Sequence, residues 1–341
     1  MRKLITFLVA LSLLVATMPS LAVFAAETGT SFGSFTVGGE APQITDFQTY
    51  SNATCTTVAT NFTPQVTYYA KVTVDDANNL SDILEVKVKI YYDADTSSPA
   101  NEADISQGMT QTAAIMTWTR TTGTGLWTID AGTPTTWAII PTSCALPESM
   151  DATTGDWIFA FKVGKVATES LGTAGWELHA RVTDGTFYTH GSYLRGKQLL
   201  WYGQMTVNTD NVDFGVVNLG TGFGADVNKV TGISVTMISN GDFAGNGAVS
   251  EMWNGSNPDN IAIYDETGVC ANANEFSLMT WGVDDFSKAV LITLDGANVM
   301  NNDQTSEDGL ERDTITAWLK LSNTFPNDTY TGTVFYKIVN R

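Results

Sequence analysis

Oxygen-bearing side chains crowd one short stretch of the chain, where Asp75, Asp76, Asn78, Asn79 and Asp82 follow a run of alternating apolar residues. Carboxylate and amide oxygens gathered in a turn are the ligand set of calcium, so Asp75, Asp76, Asn78 and Asp82 are the candidate ligands of a structural Ca2+. Their spacing does not follow the EF-hand pattern of alternating ligands closed by a distal Glu. Asn and Asp are also the ordinary residues of tight turns. Asn301-Asn302-Asp303, followed by Glu307 and Asp308, has the same character. No other cofactor is expected.

Nucleophilic catalysis has little to work with. A Ser–His–Asp arrangement needs a histidine, and His179 and His190 are the only two in the sequence. His179, flanked by Glu177 and Arg181, reads as a solvated neighbour on the polar face of a strand. His190 falls in a turn-rich segment beside Gly191, and no G-x-S-x-G elbow is present. Glu251, Asp284, Asp285 and Glu311 could supply paired carboxylates for glycoside chemistry, yet excess acid is what a charged exterior provides anyway. No catalytic residue is assigned, and the chain is read as not an enzyme.

Three thiols occur, at Cys55, Cys144 and Cys270. Cys55 and Cys144 both lie in the first half and could pair outside the cell, which would stabilise by ~4 kcal/mol if unstrained. Cys270 is then left over. No Cys/His spacing suggests zinc. Trp118, Trp127 and Trp137 crowd one segment, and exposed rings in a row would stack on sugars. Trp118 and Trp127, however, sit in strand-like stretches where one face must be core. Asn-x-Ser/Thr sequons stand at Asn52, Asn61, Asn79, Asn254 and Asn327 and mark candidate glycosylation sites, Asn79 and Asn327 in predicted turns.

The elements that must position these residues are strands. Val66, Tyr68, Ala70, Val72 and Val74 share one face, as do Leu84, Val86, Val88 and Ile90. Trp157, Phe159, Phe161 and Val163 repeat the pattern, and Trp176, Leu178, Ala180 and Val182 oppose Glu177, His179, Arg181 and Thr183. In the second half Ile233, Val235 and Met237 alternate, as do Ile315, Ala317, Leu319 and Leu321. A last strand runs from Tyr330 to Val339. Period two means one dry face and one wet face per strand, the signature of antiparallel sheets packed on each other. The best helical candidate, Gly164 to Gly172, is barely two turns.

The 341 residues suit two domains, and 43% hydrophobic against 16% charged residues excludes a disordered polyelectrolyte. Acidic residues outnumber basic ones 36 to 17, a net charge of −19 that repels phosphate backbones and excludes nucleic acid as a partner. Arg2 and Lys3 precede an apolar stretch from Leu4 to Val15, and small residues follow at Ala22-Val23-Phe24-Ala25. Residues 1–25 therefore read as a signal peptide, too short for a span of ~20 apolar residues. Residues 26–41 form an N-terminal extension, 42–200 a first β-sandwich and 201–341 a second. The joint near Trp201 and Tyr202 is expected to be packed. No membrane span is expected after cleavage.

The stretch VDDANNLSDILEVKVKIYYD, ending at Asp93, resembles the early strands of immunoglobulin-like domains in secreted prokaryotic surface proteins. VDFGVVNL (212–219), VTMISNGDF (235–243) and NDTYTGTVFYKI (327–338) resemble a second such sandwich. The resemblance implies an all-β fold of two consecutive antiparallel Ig-like sandwiches, and no catalytic residue travels with it. The resulting expectation is a secreted, non-enzymatic structural or adhesive protein of the cell surface or extracellular matrix. Its partners would be other surface proteins or copies of itself.

Two alternatives stand beside it. One is a carbohydrate- or protein-binding module using the aromatic residues of the first domain. The other is a filament subunit in which the apolar positions of Thr28 to Val37 donate a strand to the next copy. N-terminal sequencing of the exported protein is expected to begin at Ala26 or Glu27, and a chain still starting at Met1 would show an uncleaved anchor.

Overall fold

Alternation of period two builds nearly every element. The computed structural model describes residues 39–94, 110–122, 125–209, 211–305 and 311–341, with the backbone alone for 190–193, 311 and 312. The signal peptide and Thr28 to Val37 lie outside the described residues, as do Glu307 and Asp308 of the second acidic cluster. Glu40–Arg341 forms one compact unit, and among the described residues no helix is long and apolar enough to cross a membrane.

The strands of the first half are β1 (Gln43–Tyr50), β2 (Asn61–Phe62), β3 (Thr67–Asp75), β4 (Glu85–Asp93) and β5 (Ala113–Thr119). They continue as β6 (Leu126–Asp130), β7 (Ala138–Ile139), β8 (Thr154–Lys162), β9 (Gly175–Thr183) and β10 (Tyr188–Leu199). One sheet has the order β1-β3-β8-β7 and the facing sheet β2-β10-β9-β4-β5-β6. Val72 and Val74 of β3, Val86, Val88 and Ile90 of β4, Trp157, Phe159 and Phe161 of β8 and the Trp176-to-Val182 row of β9 fill the space between them, all fully buried. Burying such rows supplies ~25 cal/mol per Å2 of apolar surface. Val66 and Leu84, which continue the pattern in sequence, fall just outside the strand ends and are exposed.

The second half contains β11 (Gly203–Val207), β12 (Lys229–Ser239), β13 (Phe243–Val249), β14 (Met252–Gly255), β15 (Ile261–Tyr264) and β16 (Glu275–Trp281). After these come β17 (Val290–Leu291), β18 (Ala297–Asn302), β19 (Glu311–Leu321), β20 (Tyr330–Thr331) and β21 (Val334–Asn340). The larger sheet runs β11-β12-β19-β16-β15-β14-β20, with β17 also on β16, and the smaller runs β18-β13-β21. Two cores lie between them. One is centred on Phe276, Leu278 and Ile292, the other on Val235, Met237 and Ile315.

The fold is all-β, with three short 3-10 turns, Leu80–Asp82, Pro141–Ser143 and Phe286–Lys288, and no helix at 164–172. Pairing is antiparallel except where β10 meets β2 and β15 meets β16, both parallel. The final strand differs from expectation. Tyr330–Thr331 pairs with β14, whereas Val334–Asn340 pairs with β13 in the other sheet. Gly332 marks the crossing, pressed so closely on the Trp253 ring that no side chain would fit.

The rule of one dry and one wet face also fails along β19 and β9, among other strands. On β19 Thr316 and Trp318 are buried as well as Ile315 and Ala317, because Phe286 packs on Trp318 at 5.5 Å between ring centroids. The Trp318 indole N–H reaches Ala225 O at 3.3 Å from the other side. On β9 Glu177 and His179 are buried too, so His179 is not the solvated neighbour its alternation implied.

Phe159 is fully buried and meets Trp127 edge-on at 4.8 Å. Phe159→Ala is expected to cost about 3–5 kcal/mol, read as a lowered urea midpoint at unchanged slope.

Candidate functional site

The four carboxylate- and amide-bearing residues proposed as calcium ligands are separated by the pleat that ends β3. Asp75 faces outward, where its Oδ1 accepts from the Thr154 hydroxyl at 2.9 Å. Asp76 takes the opposite side and is only 1% exposed. Its Oδ1 accepts from Asn78 N–H at 2.8 Å, so Asn78 contributes through its backbone. Asn79 Oδ1 caps the following 3-10 turn by accepting from Ser81 N–H at 2.9 Å. Asp82 ends that turn, and burial, then the negative charge of Asp76, hold its carboxyl above the usual range. Among the described residues no three His, Cys, Asp or Glu side chains gather into a metal-binding group.

The cysteines do not pair. Cys55, Cys144 and Cys270 are free thiols, which corrects the expected Cys55–Cys144 bond. Each is held in its own local setting. Cys55 occupies a turn at φ 51° with its thiol on Ala53 O, and Cys144 Sγ accepts from Ala160 N–H at 3.3 Å. Partial burial raises both thiols above their ordinary range.

The tryptophans do not form an exposed row. Trp118 and Trp137 are buried, and Trp127 lies half-buried between Trp118 and Phe159. Their polar edges are used inside the fold: Trp137 Nε1–H donates to Thr110 O at 2.8 Å. Trp118 and Trp127 face each other across the β5–β6 ladder, which turns both toward Trp157 and the core. Sugar stacking on these three rings is thereby removed as a mechanism.

Of the sequons, Asn61, Asn254 and Asn327 are exposed. Asn52 is tied into its own turn, donating to Thr54 and Thr56 and accepting from Thr56 and Thr57 N–H. Asn79 is occupied as a cap. The acidic residues weighed as a glycosidase pair do not converge in the described structure. Asp284 is bridged to Lys229 at 3.1 Å, Asp285 accepts from Ser287, and Glu251 is exposed elsewhere. The side chains of Glu311 and His190 lie outside the described residues. Around His179, the Tyr91 hydroxyl donates to Glu177 Oε2 at 2.8 Å, and Glu177 Oε1 is 3.7 Å from Arg195 Nε.

A packed joint near Trp201 and Tyr202 is expected from the sequence; the hydrogen bonds that make it, at the seam where the first-half sheets meet the second-half ones, are not. Ser239, Asn240 and Thr305 are fully buried there. Asn240 Oδ1 accepts from Tyr202 N–H at 2.6 Å and its Nδ2 donates to Leu200 O at 3.0 Å. Its carbonyl accepts from Glu169 N–H at 2.8 Å, and its own N–H donates to Tyr202 O at 3.1 Å. Gln111 Nε2 donates to Thr305 O at 2.7 Å and Gln304 Nε2 to Val166 O at 2.8 Å, one bond in each direction across the seam. Glu169 also accepts from Asn340, and burial keeps its carboxyl raised. Several part-buried hydrogen bonds converging from separate segments fix how those segments lie against each other. The Ser239-Asn240-Gly241 turn was visible in the sequence; that it reaches across to the other sandwich was not.

No family model matches this sequence, and no curated protein matches it. Among solved structures it is similar to the CsuC–CsuE chaperone–tip adhesion subunit pre-assembly complex from the archaic chaperone-usher Csu pili of Acinetobacter baumannii. Identity is 10% over 78% of this chain and 88% of that one, with a TM-score of 0.25. At that TM-score the likeness carries nothing further.

Asn240→Ala removes both side-chain bonds, from Tyr202 N–H and to Leu200 C=O. The expected cost is about 1–3 kcal/mol, and calorimetry is expected to show the two sandwiches melting at separate temperatures.

Proposed function

We propose that this chain is an exported, non-enzymatic structural protein of the cell surface or extracellular matrix, with other surface proteins or its own copies as partners. The observation that supports this reading is the buried seam through Asn240 and Thr305, which joins two sandwiches in a fixed relation. A spacer or load-bearing element depends on a fixed joint of this kind.

The ends of the unit fit the same role. β1 is held along its length by β3, and β21 by β13 from Val249↔Val334 to Phe243↔Asn340. Tension entering near either end therefore meets hydrogen-bonded ladders before it meets a loop. The acidic exterior keeps neighbouring copies soluble and apart, and the exposed sequons at Asn61, Asn254 and Asn327 offer places for glycans in a host that makes them.

The decisive experiment uses cells of the source organism. Protease shaving of intact cells is expected to release fragments of residues 40–341, and deletion of the gene to thin or roughen the surface layer in negative-stain images. Recovery of the protein only from the cytosol, or an unchanged surface after deletion, would overturn the reading.

A further inference from the structure

The loop between β3 and β4 seals carboxylate oxygens that have no hydrogen-bond partner among the described residues. Alternation puts Asp76 on the inward side of β3, in line with Val72 and Val74, at the point where the core meets the end of the sandwich. Its backbone is fully used: the N–H donates to Thr153 O at 2.7 Å and the carbonyl accepts from Asn79 N–H at 3.2 Å. Oδ1 is taken by Asn78 N–H. Oδ2 is sealed from solvent and has no hydrogen-bond partner among the described residues.

Asp82, half-buried as a residue, lies across the same loop. The chain turns back through Leu80–Asp82, pinned where Leu80 N–H donates to Ala152 O at 2.8 Å. Asp82 Oδ1 is likewise sealed and without a partner among the described residues. The two acids feel each other: after burial, the charge of Asp76 is the largest influence raising the Asp82 carboxyl. Asp184, from the β9–β10 turn, adds to the repulsion, and Arg120, past the end of β5, opposes it.

A carboxylate oxygen sealed from water without a partner carries a desolvation penalty that nothing in the protein recovers.

We propose that Asp76 Oδ2 and Asp82 Oδ1 bind a calcium ion that pins the β3–β4 loop to the end of the first sandwich. The donors are hard oxygens, which favours Ca2+ or Mg2+ over the transition metals. They sit on an irregular loop, which suits the variable coordination of calcium better than the strict octahedron of magnesium. Two carboxylates balance the ion's charge, and backbone carbonyls and water would complete the shell. With so few charged ligands the affinity falls in the range of extracellular modules, a Kd of about 0.1–1 mM. Asp75, on the outer face, is not part of the site.

The test uses the whole mature protein, stripped with EDTA and titrated with calcium chloride by calorimetry and by thermal melting. One ion per chain is expected, with Tm raised by a few degrees at 10 mM calcium, as binding to the folded state alone requires. Magnesium chloride at the same concentration is expected to shift Tm less. Asp76→Asn and Asp82→Asn are expected to abolish the calcium shift, and Asp75→Asn to keep it.

If the pair instead shares a proton, the wild type melts identically with and without calcium while Asp82→Asn alone raises Tm, and the proposal falls. It falls equally if Asp82→Asn binds calcium as the wild type does. Should the variants fail to fold, hydrogen exchange of the wild type decides. Calcium-dependent protection at residues 76–84 supports the site, and protection confined elsewhere overturns it.

Discussion

Burying an apolar face of a strand commits the backbone beneath it to a complete ladder, because a buried N–H or C=O without a partner costs about as much as a buried side chain gains. The first sandwich obeys this through β3, which lies between β1 and β8, and β4, which lies between β5 and β9, so the strands carrying the core are paired on both sides. The row Trp157, Phe159 and Phe161 can then be wholly apolar, since β8 has no polar backbone left to satisfy along it. Ladders come first, and the packing of rings follows from them.

Ladders end, and the residues at their ends carry the polar load. Asp184 accepts from two N–H groups in the β9–β10 turn, Asp265 from Thr267 and Cys270 after β15, and Asp328 from Asn257 and from its own Thr329. Asp328 gains enough from these bonds, with that of the Asn260 amide, to be held below the ordinary carboxylate range. Asn52 and Asn240 do the same work with a neutral amide that both donates and accepts. Lys197 is the basic counterpart, giving its ammonium to Ala59 O and Gln48 Oε1, and burial lowers its proton affinity. Against this background Asp76 stands out, for it has one oxygen used as its neighbours' are and one that is not.

What the sequence disclosed follows the same division. Alternation is a local property, so the inward rows of β3, β4, β8, β9 and β12 were legible residue by residue. Coverage is not local. That Phe286 and the loop at Ala225 close over Trp318, and that His179 is buried on what alternation makes the wet side of β9, depend on segments far away in the chain. The division of Tyr330–Val339 between two sheets turns on Trp253 pressing against Gly332, nearly eighty positions apart. The cysteines misled for a related reason: two thiols in one domain suggest a bond, but only their settings on Ala53 O and Ala160 N–H show each one already placed. In the acidic loop the cluster was visible as composition, while the pleat alone decided that Asp76 turns inward and Asp75 outward.

Besides the polar side chains buried within the ladders, such as Glu177 and His179 on β9 and Thr316 on β19, buried polarity gathers at the seam and at the end of β3. At the seam the amide and hydroxyls of Asn240, Ser239 and Thr305 find partners in the protein, and Glu169 accepts from Asn340. At the far end of the first sandwich Asp76 is buried and Asp82 half-buried, two carboxylates of like sign that cannot answer one another. Such a loop is held only as well as its surroundings supply positive charge. On a chain of net charge −19 the local concentration of cations exceeds that of bulk solution, and this is the setting in which a weak site made of two acids can be filled.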